Sequence, residues 1–484
     1  MPVGWLPPTT DERLAWVCAA LFSVSVAVSA ASSPASLLLA GGILIAGALA
    51  AVAFVQPRWV LLLQLALVIG YLPDVFGPRS GLPVTEYTLV LLLSVAVLFR
   101  WLLGRERPAR VSEAALFAAL LAAMVLSAAA ATDRSASLAD LKQLIASAAL
   151  VLLMVGLLDQ PHWLRRAMWA VVVSAAGLAA IAVFQQLTKT YDVDYFGLST
   201  ILEDRTLRRS AGPHDANYFG AALVMGAALA LYLFLAARRA FERAAALGAL
   251  AACLAAAFFT YSRGAVVALA VSLVAAAALR RVRPWIPLAG AVLLIGLAAV
   301  ALPSDVKTRF RSVFAPVGTE ISYMSDESLA NRFAENLVAV QMFRDRPLLG
   351  VGPENYPVHY FEYAQQLGLD TRVVASFESG QRPHNLYLET LAELGVVGAA
   401  ALLSIVWLAV SGAWRARARL PTREGLLAEG VFVALIGFLA ASLFLHLSYP
   451  RYLWVPVGLA LVAGRLAEKR VTEPASSPLA APAA

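Results

Sequence analysis

The sequence predicts an all-α fold, a polytopic transmembrane helix bundle of about 12–14 spans with one large external loop that contains amphipathic helices. Three observations carry this prediction. Of 484 residues, 60% are apolar and only 14% charged, and the mean hydropathy is +0.74, far outside the range of soluble domains. Apolar runs long enough to cross a bilayer recur along the chain, and basic residues gather in alternate connections between them.

Taken in order, the runs fall at 14–31, 36–55, 59–72, 85–99, 114–131, 138–158, 167–187, 216–235, 244–260, 264–279, 285–302, 385–410, 428–447 and 452–464. The third and last are short for a span, and 244–279 also reads as one interrupted hairpin. Asp11 and Glu12 precede the first run where a signal peptide would carry a basic region, so it is expected to be retained as a span. Residues 1–302 thus form an N-terminal transmembrane bundle of about eleven spans, 303–383 a large external loop, 384–466 the C-terminal transmembrane helices, and 467–484, rich in Ala, Pro and Ser, a disordered tail.

Charge sets the sidedness. Arg58, then Arg100, Arg105, Arg107 and Arg110, then Arg165 and Arg166, then Arg238, Arg239 and Arg243 lie in alternate connections. The series continues through Arg280, Arg281 and Arg283, then Arg415, Arg417, Arg419 and Arg423, and ends on Arg465, Lys469 and Arg470. With Arg13 these are 21 of the 38 Lys and Arg, which accounts for the net charge of +7 by membrane topology and calls for no nucleic-acid partner. The connections they occupy, and both termini, are read as cytoplasmic. The 303–383 segment carries eight basic against ten acidic residues and belongs outside. Within it, Leu329, Phe333, Leu337 and Val340 recur at helical spacing with Arg332, Glu335 and Asn336 between them, which predicts an amphipathic helix packed on the bundle or lying at the interface. Arg346-Pro347 ends that helix, and Gly350-Val351-Gly352-Pro353 supplies a turn.

Several chemistries lack their residues. Cys18 and Cys253 both sit inside apolar runs, so neither a disulfide framework nor a thiolate metal site is predicted. There is no Walker-type phosphate loop, no zinc-spaced His or Cys cluster, and no carboxylate cluster of the kind that holds a metal with a nucleotide sugar. The reading calls for no cofactor and no metal.

Polar residues gather instead at the external ends of spans: Arg208 and Arg209, His214, Asp215 and Asn217, Arg263, Arg332, His384 and Arg451. Converging arginines suit phosphate oxygens and can neutralise charge developing on a pyrophosphate leaving group. A histidine such as His384 can accept the proton of an attacking hydroxyl. Arginines at span ends also serve as snorkelling anchors, but Arg263, in the tight turn Thr260-Tyr261-Ser262-Arg263-Gly264, has little room to do so. His384 follows Pro383 at a predicted helix start, where the helix dipole favours the neutral imidazole. Asn385, Glu389 and Glu393 form one polar stripe along that helix, equally compatible with a structural network and a catalytic one. Asp140 and Lys142, near the start of another span, read as a mutual ion pair without an assigned role.

The pattern resembles the O-antigen ligase and polymerase superfamily over most of the chain after about residue 110. His384-Asn385-Leu386-Tyr387-Leu388-Glu389 and Glu393-Leu394-Gly395-Val396-Val397-Gly398 are similar to that family's His-Asn motif and the Glu-x-Gly-x-x-Gly that follows it. Ser262-Arg263-Gly264 resembles its Ser-Arg corner. Arg332 with Pro347-Leu348-Leu349-Gly350-Val351-Gly352-Pro353 resembles its external-loop signature, and Gly212-Pro213-His214-Asp215-Ala216-Asn217-Tyr218-Phe219 the start of one of its spans.

The resemblance implies metal-independent, inverting transfer of an undecaprenyl-diphosphate-linked glycan to an acceptor hydroxyl, at the periplasmic face of the bacterial inner membrane. Acceptors of three kinds fit: lipid A-core, another glycan, or a protein Ser or Thr. It implies that His384 is the base, that Arg263 and Arg332 act in catalysis, and that Arg209 joins them on the pyrophosphate or donor glycan. Arg208, Asn217, Arg382, Asn385, Tyr387, Glu389 and Arg451 complete the candidate substrate-binding set. A reading of another class, a flippase or transporter for a lipid-linked sugar, predicts charges and broken helices at mid-depth, whereas here the polar residues crowd one face.

Overall fold

The computed structural model describes residues 51–71, 86–102, 111–204, 207–213, 215–279, 327–369, 381–446 and 451–472. The expected spans at 14–31 and 285–302, most of that at 36–55, residue His214 and the tail beyond 472 lie outside the described residues.

The architecture is a helical membrane bundle. Among the described residues its helices are α1 (Pro57–Ile69), α2 (Glu86–Leu102), α3 (Val111–Ala129), α4 (Arg134–Leu157), α5 (Pro161–Thr188), α6 (Ala216–Ala236), α7 (Ala240–Phe259) and α8 (Arg263–Ala278), then α9 (Glu327–Asp345) and α10 (Tyr356–Gln366), and finally α11 (Leu386–Arg419), α12 (Thr422–Ala441) and α13 (Arg451–Thr472). Seven are long and apolar enough to cross a membrane: α3 to α7, α11, and α12 with the turn that follows it. α1, α8 and the apolar part of α2 are shorter.

α6 and the N-terminal part of α13 are apolar all round and form the centre, as that pattern requires. Nearly every residue of α6 is buried, and α13 is buried from Tyr452 to Ala463. Small residues let the helices close up: Gly412 of α11 and Gly464 of α13 pack backbone to backbone, where an added Cβ would meet the partner Cα at 2.9–3.3 Å. The runs at 244–260 and 264–279 are two helices that part at the Thr260–Ser262 corner, α7 packing on α5 and α6 and α8 on α12.

The two ends of the bundle differ chemically. At one end arginines pair with carboxylates and carbonyls between helices: Arg58 with Leu157 O and Asp159, Arg165 with Glu242, and Arg465 in a two-point bond with Glu113. At the other, the start of α4, the corner before α8, the start of α11 and the end of α12 meet the external segments. The connection between α5 and α6 there holds a two-stranded antiparallel hairpin, β1 (Thr200–Asp204) and β2 (Leu207–Gly212), which sequence patterning did not predict.

The external α9 lies where the sequence puts a helix, but rotated. Its inward face is Ala334, Glu335, Val338, Ala339 and Met342, and Phe333 is 39% exposed. A helix next to a bilayer can carry an apolar face away from the bundle, so apolarity alone does not say which side packs. The small Ala392 of α11, with Tyr356 and Tyr360 of α10, receives the inward face.

α11 is broken one third of the way along, at Gly395 (φ 62°, ψ −166°). A break in a spanning helix exposes backbone groups that must be re-satisfied. The turn after α9 does this: Val351 and Gly352 donate to the carbonyls of Ala392 and Glu393, and Val396 and Val397 donate to those of Pro347 and Leu348. Ser127 Oγ donates to Leu349 O at 2.6 Å and is also 2.8 Å from Glu393 O, which brings α3 to the same joint. The two backbones approach so closely that a Cβ on Gly350 or Gly395 would sit 2.3 Å from the other strand's carbonyl carbon.

Candidate active site

Every residue described here sits at one end of the bundle, and local structure sets each. Asn385 caps α11, its side chain accepting from the backbone N–H groups of Tyr387 and Leu388. His384 therefore stands one residue outside the helix. Its Nδ1 lies 2.8 Å from Oε2 of Glu335, three residues after Arg332 on α9. The Glu335 side chain is only 3% exposed whereas that of His384 is 30% exposed. A carboxylate accepts only, so this bond places the ring proton on Nδ1 and leaves Nε2 as an acceptor. The partner of the His384 ring nitrogen is thus a carboxylate on another helix, where sequence reasoning considered only the helix dipole.

A second set comes from the corner before α8. Ser262 caps that helix through Ala265 N and donates its hydroxyl to Asn217 Oδ1 at 2.8 Å. Tyr261 adopts φ 47°, the left-handed conformation that turns the chain back sharply and sets Arg263 at the first helical position. Asp215 caps α6 through Asn217 N and Tyr218 N. Arg209, on β2, donates from Nε to Thr260 O at 3.1 Å.

These pieces converge on Arg332. Burial and the nearby charge of Arg263 bring its guanidinium down to about 10; Glu335 and Asp215 pull the other way, and Arg209 adds to the repulsion. Three guanidiniums close enough to repel one another, with two carboxylates beside them, make a cationic cluster. Such a cluster costs stability and suits an anion with more than one phosphate.

A second imidazole stands against His384. His446, past the 3-10 turn Ser442–Phe444 that ends α12, presents its ring at 88° to that of His384 with centroids 5.6 Å apart. Burial, then the neighbouring His384 ring and the positive charges of Arg382 and Arg332, push it down to about 3, so it is neutral. Neither Glu335 nor His446 was predicted as a site residue; a lone carboxylate in an amphipathic pattern and a lone histidine in an apolar run carry no signal by themselves.

Other predicted residues prove to have structural partners. Arg382 donates through both terminal nitrogens to Glu354 and lies 3.8 Å from Glu389. Burial works against its charge, but the Glu354 hydrogen bond and the charges of Glu354, Glu389 and Glu393 hold it firmly protonated. Glu393 accepts from the backbone N–H groups of Glu354 and Tyr356 at 3.0 Å each, closing the start of α10, so this half of the polar stripe is structural. Glu389 is fully buried, and Tyr387 donates its hydroxyl to Leu439 O. Arg208 points away from Arg209, pairing with Glu203 and stacking over Tyr191, because neighbouring strand residues face opposite sides. The Arg451 side chain lies outside the described atoms, although its backbone begins α13. Among the described residues no ion pair joins Asp140 to Lys142; residues two apart on a helix do not face each other.

The arginine corner, the external helix and the His384 motif fall inside residues 248–403, which match the O-antigen ligase family model. That match supports placing the chain with the O-antigen ligase and polymerase superfamily. It is a multi-pass membrane protein with ligase/polymerase-type, glycosyltransferase-like function. No curated protein matches the chain. The matched region starts after Arg209 and Asn217 and ends before His446, so those residues come from outside the matched domain.

Proposed function

We propose that this protein transfers a glycan from undecaprenyl diphosphate to an acceptor hydroxyl, by a metal-independent inverting displacement at the periplasmic face of the inner membrane. The observation that carries the reading is the His384–Glu335 pair beside the Arg209, Arg263 and Arg332 cluster. The acceptor oxygen attacks the anomeric carbon from the face opposite the diphosphate. As the new C–O bond forms, the bond to the diphosphate oxygen breaks and its electrons remain on that oxygen. Nε2 of His384 takes the hydroxyl proton, and Glu335 compensates the positive charge on the ring. The arginines neutralise the charge on the leaving diphosphate. The acceptor is a hydroxyl of lipid A-core, of a growing glycan or of a protein, with lipid A-core as the first to test.

The test uses purified protein in liposomes with labelled undecaprenyl-diphosphate-linked glycan and each acceptor in turn. Label moving onto one acceptor with release of undecaprenyl diphosphate, lost in His384→Ala, is the expected result. Translocation of the labelled lipid without any new glycosidic bond would sink the proposal in favour of a transporter.

A further inference from the structure

The geometry points to His446 as a positioning residue for His384: its ring walls the His384 imidazole from the side and couples it to the Arg263 corner. This rests on the reading of His384 as the base. A hydrogen bond from Nδ1 to Glu335 fixes one nitrogen at 2.8 Å but leaves the ring free to swing about that bond. A second ring standing at 88°, centroids 5.6 Å apart, is the edge-to-face arrangement that aromatic rings favour, and it restricts the swing. Together the two contacts aim Nε2.

His446 is itself held in place. Its ring packs on Tyr218 at 5.3 Å and 73°, and Tyr218 follows Asn217, the residue that holds Ser262. Phe444, two residues earlier, lies against Gly264, where an added Cβ would meet the Phe444 Cβ at 3.1 Å. One short turn therefore touches the helix start that carries Arg263 and, two residues on, the ring of His384. The base and an anion-holding arginine, 121 positions apart in the chain, share this wall. Reaction geometry tolerates little error, since a shift of about 1 Å can cost on the order of 100-fold in rate.

The test compares wild type, His446→Phe and His446→Ala as full-length protein in liposomes, with two readouts. One is kcat and KM for labelled undecaprenyl-diphosphate-linked glycan. The other is the rate at which diethyl pyrocarbonate carbethoxylates His384, read by mass spectrometry of its peptide, which requires no turnover. His446→Ala is expected to lower kcat by about tenfold or more with KM nearly unchanged, and to shift the carbethoxylation rate by about threefold or more, while His446→Phe keeps both near wild type. Should His446→Ala fail to accumulate, His446→Leu takes its place in both readouts. Wild-type behaviour of the Ala variant in both would overturn the proposal. So would a Phe variant as deficient as Ala, because the ring nitrogens rather than the packing would then matter. A carbethoxylation rate that changes in Ala and not in Phe, in a protein that transfers no glycan, would uphold the positioning role and remove the glycosyl-transfer reading.

Discussion

Glu335 and His384 lie on different elements, 49 positions apart, and meet through a 2.8 Å contact between a carboxylate oxygen and the imidazole Nδ1. The contact decides which nitrogen can take a proton. Glu335→Gln replaces an obligate acceptor with an amide that can donate to Nδ1, so the ring can be held in the wrong tautomer. The expected loss is about 100-fold or more in kcat with the protein at normal membrane levels, measured as glycan transfer in liposomes. Near-wild-type kcat in Glu335→Gln would show that the contact is structural.

Arg332 makes the pH dependence directional. Its guanidinium, brought down to about 10 by burial and by Arg263, is charged throughout the neutral range and loses its proton as pH rises through that value. KM for a diphosphate donor should therefore be flat from pH 7 to about 9 and rise above it. In Arg332→Lys the planar fork is replaced by a point charge, and KM should rise at neutral pH as well, by about tenfold. A flat KM profile up to pH 11 in wild type would contradict this.

Arg382 is expected to behave as a structural residue. Removing it leaves Glu354 and the buried Glu389 and Glu393 without their cation, a loss of about 3–5 kcal/mol for a largely buried pair. Arg382→Gln should lower the midpoint of thermal unfolding in detergent and the amount of protein in the membrane. Whatever protein survives should keep wild-type KM; a raised KM at unchanged stability would return Arg382 to the substrate.

The joint at Gly395 should tolerate no side chain. Gly395→Ala puts a Cβ into a positive-φ residue and within 2.3 Å of the Leu348 backbone, which cannot yield as a side chain could. The expected outcome is failure to accumulate in the membrane. Gly398→Ala also meets a close atom, the Leu394 Cβ at 2.3 Å, but has no positive φ to strain, and should be milder by the same measurement.

Membrane class, the order of spans and the sorting of charge to one end were determined by the sequence, because a bilayer imposes a fixed length on apolar runs and a fixed cost on charge wherever it falls. The His384 and Arg263 motifs were legible too, being polar residues packed into short turns between apolar runs. Which polar residues face one another was decided only by the tertiary structure. Arg208 and Arg209 are neighbours in sequence, yet strand alternation sends one toward Glu203 and the other toward Thr260. Arg382 sits in the same motif as His384, yet Glu354 claims it. Glu335 and His446 carried no signal, because a hydrogen bond or a ring contact depends on distances of a few ångström between elements far apart in the chain, and local pattern does not contain those distances. The rotation of α9 has the same origin: its apolar residues satisfied more than one facing, and the shape of the waiting surface on α10 and α11 selected the one that brings Glu335 to His384.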